Sequence, residues 1–532
     1  MKAVETFELV LLLLSAVVAL HALADKLRFP PSAALLVGGG ALAFIPGLPP
    51  FTLDPELALV LFLPPLLFEG AYYTAFGRFR AHLPGIISLA VGAVIFTTCL
   101  VAVAVKWLVP DLPWAACFAL GAIVSPPDAV SARAVLQGIR LPRRLQALLE
   151  GESLLNDATG LVLFRFAVAA TLSGTFHLGE AIGSFALLAL GGAVVGVVVG
   201  RLSVFLLTKI EDRTLFVTTS TLICWAAYLA GEALHVSGVI ATVASGLVVG
   251  WYQHVVMPAR VRIQGTGFWR TMIFSLEALV FILIGFSLRS VVDRAGGIAE
   301  VTATMAVPVL GVLAAMTFAR VVWVFGSDAL LHAARRLGVR RARPLGASQA
   351  GVLAWTGMRG VVTLAVALTL PAAMPGRDLM LITAFAAILM TVIVQGGSLG
   401  WLIGRLRPVD GDPPPRMSLP ETEAAIAKAK LRAVEAHAYD ADGQLIHPQL
   451  LEQQRARARA SEKYARDADG FMDGIQSHFE VLLLAIAEGR RELIRLHRAG
   501  KIEDEVLHDL ERDLDLEEVS ITFQRGEQLD LR

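Results

Sequence analysis

Glu150-Gly151-Glu152-Ser153-Leu154-Leu155-Asn156-Asp157 places three carboxylates directly before Leu161-Val162-Leu163-Phe164, within a stretch that reads as membrane. A carboxylate in hydrocarbon is costly unless it is neutralised, paired or wetted, so Asp157 is a functional candidate by default. At about 100° per residue, Ser153 and Asp157 (i, i+4) share one helical face, and Glu152 and Asn156 share the adjacent one. One face therefore offers a carboxylate with a hydroxyl one turn below it, a hard-oxygen set suited to an alkali cation. Burial favours the neutral, protonated carboxyl, whereas a bound cation favours the ionised form. A site that holds a proton or a cation, but not both, exchanges one for the other. That chemistry needs no cofactor, nucleotide or covalent step.

Other polar residues in apolar runs carry weaker signals. Asp128 follows Ser125-Pro126-Pro127, where consecutive prolines remove backbone donors and should open the helix. It can cap the freed amides or line an ion path, and the two roles are compatible. Glu69, in Leu63-Pro64-Pro65-Leu66-Leu67-Phe68-Glu69, either faces interfacial water or lines a funnel that draws in cations. Glu152 and Arg359 are opposite charges in different spans, each too costly alone, and are expected to pair in a structural role. Arg320 is expected to snorkel or to neutralise helix carbonyls. Gly191-Gly192 with Gly196 and Gly200 reads as close helix packing.

The elements that position these residues follow from composition. Of 532 residues 55% are hydrophobic and 17% charged, whereas a soluble chain would carry nearer a quarter charged. Apolar runs of around 20 residues recur to about position 405, giving expected spans 5–24, 31–48, 53–73, 83–108, 113–136, 146–172, 180–206, 213–232, 236–253, 268–289, 301–325, 346–371 and 379–404. The N-terminus reads as a retained first helix and not a cleaved leader. Basic clusters fall in alternate loops: Lys26 and Arg28, Arg78 and Arg80, Arg140 to Arg144, Lys209 and Arg213, Arg260 to Arg270, Arg335 to Arg343, and Arg405 with Arg407. That bias places the N-terminus outside and the tail in the cytoplasm.

Thirteen spans in this orientation permit two inverted six-helix halves, 1–6 and 8–13, with span 7 as a linker and the site at mid-membrane between broken helices. Spans 5 and 12 then correspond. Span 12 carries its own breaker in Gly357-Met358-Arg359-Gly360. The fold class expected is an all-α polytopic membrane protein, with a membrane domain over 1–407 and a small helical cytoplasmic domain over 408–532. The boundary is the linker Asp410-Gly411-Asp412-Pro413-Pro414-Pro415. Cys99, Cys117 and Cys224 all lie in apolar runs and offer neither a disulfide framework nor a metal motif.

At three blocks the chain resembles the monovalent cation/proton antiporter family, which includes bacterial sodium/proton antiporters and animal sodium/proton exchangers. These are Glu150 to Asp157, Leu63 to Glu69, and Trp355-Thr356-Gly357-Met358-Arg359-Gly360-Val361-Val362-Thr363-Leu364-Ala365. The resemblance covers roughly 5–405. It implies that Asp157, marked by the Asn156-Asp157 pair, carries cation and proton. Ser153 and the Pro127 carbonyl would be ligands, Glu69 and Asp128 would act through water, and Glu152 with Arg359 would be a structural pair. It further implies a homodimer in which a core bundle (spans 4–6 and 11–13) moves against a dimer domain, and electroneutral one-for-one exchange. One departure stands out. The family's span-5 motif is commonly Thr-Asp-Pro, and here it is Pro127-Asp128-Ala129, which loses the Thr hydroxyl and leaves the ion preference open.

The sequence thus predicts a secondary-active antiporter of the cell (inner) membrane, exchanging cytoplasmic Na⁺ for protons by alternating access in pH and cation homeostasis. K⁺ or Li⁺ remain alternatives as the carried ion. Its expected partners are small cations, the bilayer and a second copy of the chain, with no nucleic acid, no cofactor and no enzymatic activity. An uncoupled channel would need a continuous polar pore. An intramembrane hydrolase would need a catalytic constellation; Asp128 and Asp157 imitate an aspartyl dyad but bring no substrate recognition.

Overall fold

A backbone crossing hydrocarbon must satisfy its own hydrogen bonds, so the long apolar runs fold as helices. The computed structural model describes residues 3–27, 30–45, 55–128, 141–175, 178–339, 343–412, 417–440 and 442–529, with positions 132, 136 and 139. Two compact units divide the chain, Met1–Asp412 and Pro413–Arg532.

The first unit contains α1 (Ala3–Leu27), α2 (Pro31–Ala43), α3 (Pro55–Tyr73), α4 (Phe76–Leu108), α5 (Trp114–Val124), α6 (Arg143–Ser173), α7 (Leu178–Leu207), α8 (Arg213–Ala233), α9 (Gly238–Val256), α10 (Ala259–Arg294) and α11 (Ala306–Arg336). Two short helices follow, α12 (Ala347–Trp355) and α13 (Val361–Leu368), and then α14 (Arg377–Leu406). Each expected span has its helix, the twelfth being split into α12 and α13. Eight helices among the described residues are long and apolar enough to cross a membrane. Most of the second half of span 5 lies outside the described residues, as do Arg28, Arg140, Arg340 and Arg341. The all-helical, many-span architecture is therefore as expected. Several helices run longer than the apolar stretch that announced them. For α10, expected over 268–289, the polar ends Ala259–Gly267 and Ser290–Arg294 continue the same helix.

The packing carries the inverted repeat. α2 lies along α10, and α9 lies along α3. Under the correspondence of spans 1–6 with 8–13 these are the same contact seen twice. Both are made by glycine. A Cβ on Gly285 of α10 would stand 2.2 Å from the Leu36 carbonyl of α2, and one on Gly250 of α9 would stand 2.4 Å from the Tyr72 carbonyl of α3. Between the halves, α7 turns Gly192 and Gly196 onto α9, as the small-residue pattern predicts. Its other face leaves Leu187, Leu190, Val194, Val198 and Leu202 exposed, an apolar surface that fits acyl chains. Two π-helical segments, Ser88–Ala93 in α4 and Thr391–Gly396 in α14, were not legible in the sequence.

The last residues of this unit are tied down before the chain leaves it. Arg143 Nε donates to Asp410 at 2.6 Å, His82 approaches Asp412 at 3.5 Å, and Gln349 Nε2 donates to the Val409 carbonyl at 2.6 Å. The described residues of the second unit form α15 (Leu419–His437), α16 (Pro448–Arg466), α17 (Ala468–Arg498) and α18 (Asp504–Leu529). Ser418 and Glu421 form a capping box that starts α15. Lys428–Glu462 pairs α15 with α16, and Arg490 pairs with Asp515 and Glu518 between α17 and α18, around a small core of Phe479, Ile486 and Ile521.

Gly285→Val forces a side chain against backbone that no rotamer relieves. It should lower stability by about 1–3 kcal/mol. Gly267→Ala, in the same helix with open space at its Cβ, should leave stability unchanged or raise it slightly. Thermal melts of the two purified variants in detergent check this.

Candidate functional site

Two broken helices meet in the middle of the first unit. α5 ends at Val124, and Ser125–Asp128 leave the helix, as the prolines dictate. α12 ends at Trp355, and Gly357–Gly360 lie outside any helix before α13 begins. The Asp128 amide donates to the Met358 carbonyl at 2.7 Å, tying one break to the other. A Cβ on Gly360 would collide with the Asp128 carboxylate, so only glycine lets the two segments approach this closely. Ala129 lies outside the described residues.

α6 lies against this crossing. Asn156, fully buried, donates its Nδ2 to the Pro127 carbonyl, while its Oδ1 meets no donor among the described residues. The Pro127 carbonyl, a candidate ligand, is thus already held by Asn156; a carbonyl has a second lone pair, so this does not prevent it from accepting more. Asp157, 8% exposed, opens on the other side into a cavity of about 80 Å³ that Asp128, Ser153, Glu150, Gly70 and Tyr73 also line. Leu63, Leu66, Leu67, Leu154, Val361 and Val362 make its apolar walls. One water needs about 10–15 Å³ of such volume, so the space takes a small ion with a few waters and excludes organic solutes. Asp128, Ser153 and Asp157 are therefore brought together on one cavity. Glu69 is not among the residues recorded as lining it. It is half-buried on α3, next to Gly70, with its charge in reach of the Tyr73 hydroxyl.

The ion pair expected between Glu152 and Arg359 is not the one that forms. Arg320 of α11 grips Glu152 bidentately at 2.6 and 2.9 Å, with the two side chains 4% and 2% exposed. Arg320 therefore does not snorkel. Arg359 instead donates to the Val124 and Gly357 carbonyls, and its amide donates to Thr391 Oγ1 at 2.9 Å. The reason is physical. Each break frees carbonyls at the negative end of a helix, and a guanidinium placed there satisfies them and the helix dipole together. Sequence pattern shows that Glu152 needs a cation and offers two arginines. It does not show that the broken backbone claims one of them.

Neutralising one partner of a buried pair leaves the other uncompensated at about 3–5 kcal/mol. Glu152→Gln and Arg320→Met should each lower folded yield and melting temperature, and the double variant should recover much of the loss. Arg359→Met should gain nothing from Glu152→Gln. Rescue of Arg359→Met in its place would overturn the pairing.

Comparison with known proteins places this geometry. The model of the family described as "Sodium/hydrogen exchanger, transmembrane" matches residues 11–404. An uncharacterised Na⁺/H⁺ exchanger of Mycobacterium tuberculosis is 32% identical over 530 residues, covering 96% of this chain and 95% of that one. A sodium, potassium, lithium and rubidium/H⁺ antiporter of Bacillus subtilis is 32% identical over 415 residues, covering 73% of this chain and 60% of that one. Among solved structures, the sodium proton antiporter MjNhaP1 from Methanocaldococcus jannaschii superposes with a TM-score of 0.60 at 19% identity, over 76% of this chain and 99% of that one, which shows a shared fold. With its match running through both halves of the membrane unit, the chain belongs to the sodium/hydrogen exchanger family of multi-pass membrane antiporters.

Proposed function

We propose that the protein exchanges cytoplasmic Na⁺ for protons by alternating access, with Asp157 carrying each in turn. The observation that carries this reading is the shared cavity: Asp157, Ser153 and Asp128 converge on one ion-sized space at the crossing of two broken helices. Ser153 and the Asp157 carboxylate supply hard oxygens to the cation, Asp128 acts through water, and Asn156 fixes the Pro127 backbone beside them.

The disposition of charge supports a one-for-one exchange. Arg320 is taken by Glu152 and Arg359 by carbonyls, and the residues recorded as lining the cavity include carboxylates and no lysine or arginine. The buried carboxylate of Asp157 in a low-dielectric interior is relieved by one proton or one monovalent cation. The empty, fully ionised state is the costly one, so the bundle moves when loaded and resists moving when not. A continuous pore has no such constraint, which disfavours a channel.

The mobile bundle would be α4–α6 with α11–α14, working against α1–α3 and α8–α10 in a homodimer of the cell membrane. The basic loops orient the N-terminus outward and the tail inward. The second unit, Pro413–Arg532, forms the cytoplasmic domain in this reading. K⁺ is the second candidate ion. Pro127 stands where the family commonly has Thr, and the Bacillus subtilis relative's name spans sodium to rubidium.

A sodium pulse on proteoliposomes carrying a preset pH gradient tests the proposal. The wild type should collapse the gradient, while Asp157→Asn should reduce exchange at least a hundredfold yet purify folded. Sodium-dependent proton flux retained in Asp157→Asn overturns the mechanism. Repeating the pulse with K⁺ and Li⁺ ranks the carried ions.

A further inference from the structure

Glu150 is the one acidic residue of the signature stretch with no place in the mechanism above. On α6 it precedes Asp157 by seven residues, which returns it to within about 20° of the same helical face, roughly 10 Å along the axis. It is half-buried and lines the same cavity as Ser153 and Asp157. Tyr73 on that cavity is 47% exposed, Glu150 is half-buried and Asp157 is 8% exposed, so we place Tyr73 and Glu150 nearer solvent than Asp157. Gln146, one turn before, donates its Nε2 to Glu150 Oε1 at 2.8 Å. Among the described residues this is the only side chain recorded donating to it, and no cation pairs with it. The arginines at the start of α6 are engaged elsewhere: Arg143 with Asp410, Arg144 with the Arg343 and Pro344 carbonyls.

We propose that Glu150 is the outer carboxylate of a two-stage cation path. It concentrates Na⁺ at the mouth of the cavity and passes it two turns inward, past Ser153, to Asp157. Gln146 holds one carboxylate oxygen so that the other faces the ion. The apolar walls between the stages make a second carboxylate useful, because a cation shedding water there has few other oxygens to meet. Glu150 does not exchange protons in this scheme. It sets the sodium concentration at which the exchanger works and leaves the turnover rate alone. This rests on the antiport reading, and the test separates the two.

In proteoliposomes at low ionic strength, Glu150→Gln should raise the KM for Na⁺ on the order of fivefold with kcat within about twofold of wild type. The difference should shrink as choline chloride is raised to screen the mouth, where the Debye length falls to about 3 Å at 1 M salt. Glu150→Asp should recover most of the wild-type KM, and Gln146→Ala should give a smaller rise than Glu150→Gln. An unchanged KM, a salt-independent change, or a fall in kcat at constant KM overturns the proposal. Should Glu150→Gln not fold, Gln146→Ala carries the same reading: a salt-sensitive KM rise supports it and its absence overturns it. If Asp157→Asn is inactive while Glu150→Gln matches wild type, only the outer stage is lost. If the wild type itself shows no sodium-driven proton flux, the antiport reading fails and takes this proposal with it.

Discussion

Backbone polar groups freed inside hydrocarbon must find partners, at several kcal/mol for each that does not, and two helices of this protein break there. The crossing answers that constraint with very few residues. The Asp128 amide takes the Met358 carbonyl, Asn156 takes Pro127, and Arg359 takes Val124 and Gly357. The partners come from α6 and from the opposite break, so satisfying the backbone also fixes where Asp157 stands. The proposed ion site follows from the same bonds that make the broken helices tolerable.

The buried charges then fall into two groups. Glu152 with Arg320 closes on itself as a bidentate pair between α6 and α11, and it holds two helices of the proposed moving bundle together. Arg359 is used up on carbonyls. What remains around the cavity is carboxylate, with the hydroxyls of Ser153 and Tyr73 and no fixed cation recorded among its lining residues. In the proposed reading a cavity lined by carboxylates accepts a proton or an alkali ion, and its small volume favours an ion over a larger solute.

Much of this was legible in the sequence because it depends on cost. A carboxylate, two prolines or a Gly-Met-Arg-Gly stretch in an apolar run is expensive wherever it lands, so Asp157, Asp128 and both breaks announce themselves. The small-residue face of α7 is readable for the same reason. Pairing is different. Glu152 had two arginines available, and only the three-dimensional position of the freed carbonyls assigns Arg359 to the backbone and Arg320 to Glu152. The π-helical segments, the strap of Val409 to Asp412 on Arg143, His82 and Gln349, and the glycine contacts between α2 and α10 also depend on distances that no local pattern encodes.

The central claim is that one carboxylate holds a proton or a cation and never both. Proton release on cation binding tests this most directly, read with a pH indicator in weakly buffered, detergent-purified protein near the midpoint of the exchange. The wild type should release up to one proton for each Na⁺ bound, with apparent Na⁺ affinity falling about tenfold for each unit of pH below that midpoint. Asp157→Asn should release none. Sodium binding to the wild type with no proton release and no pH dependence would contradict the account.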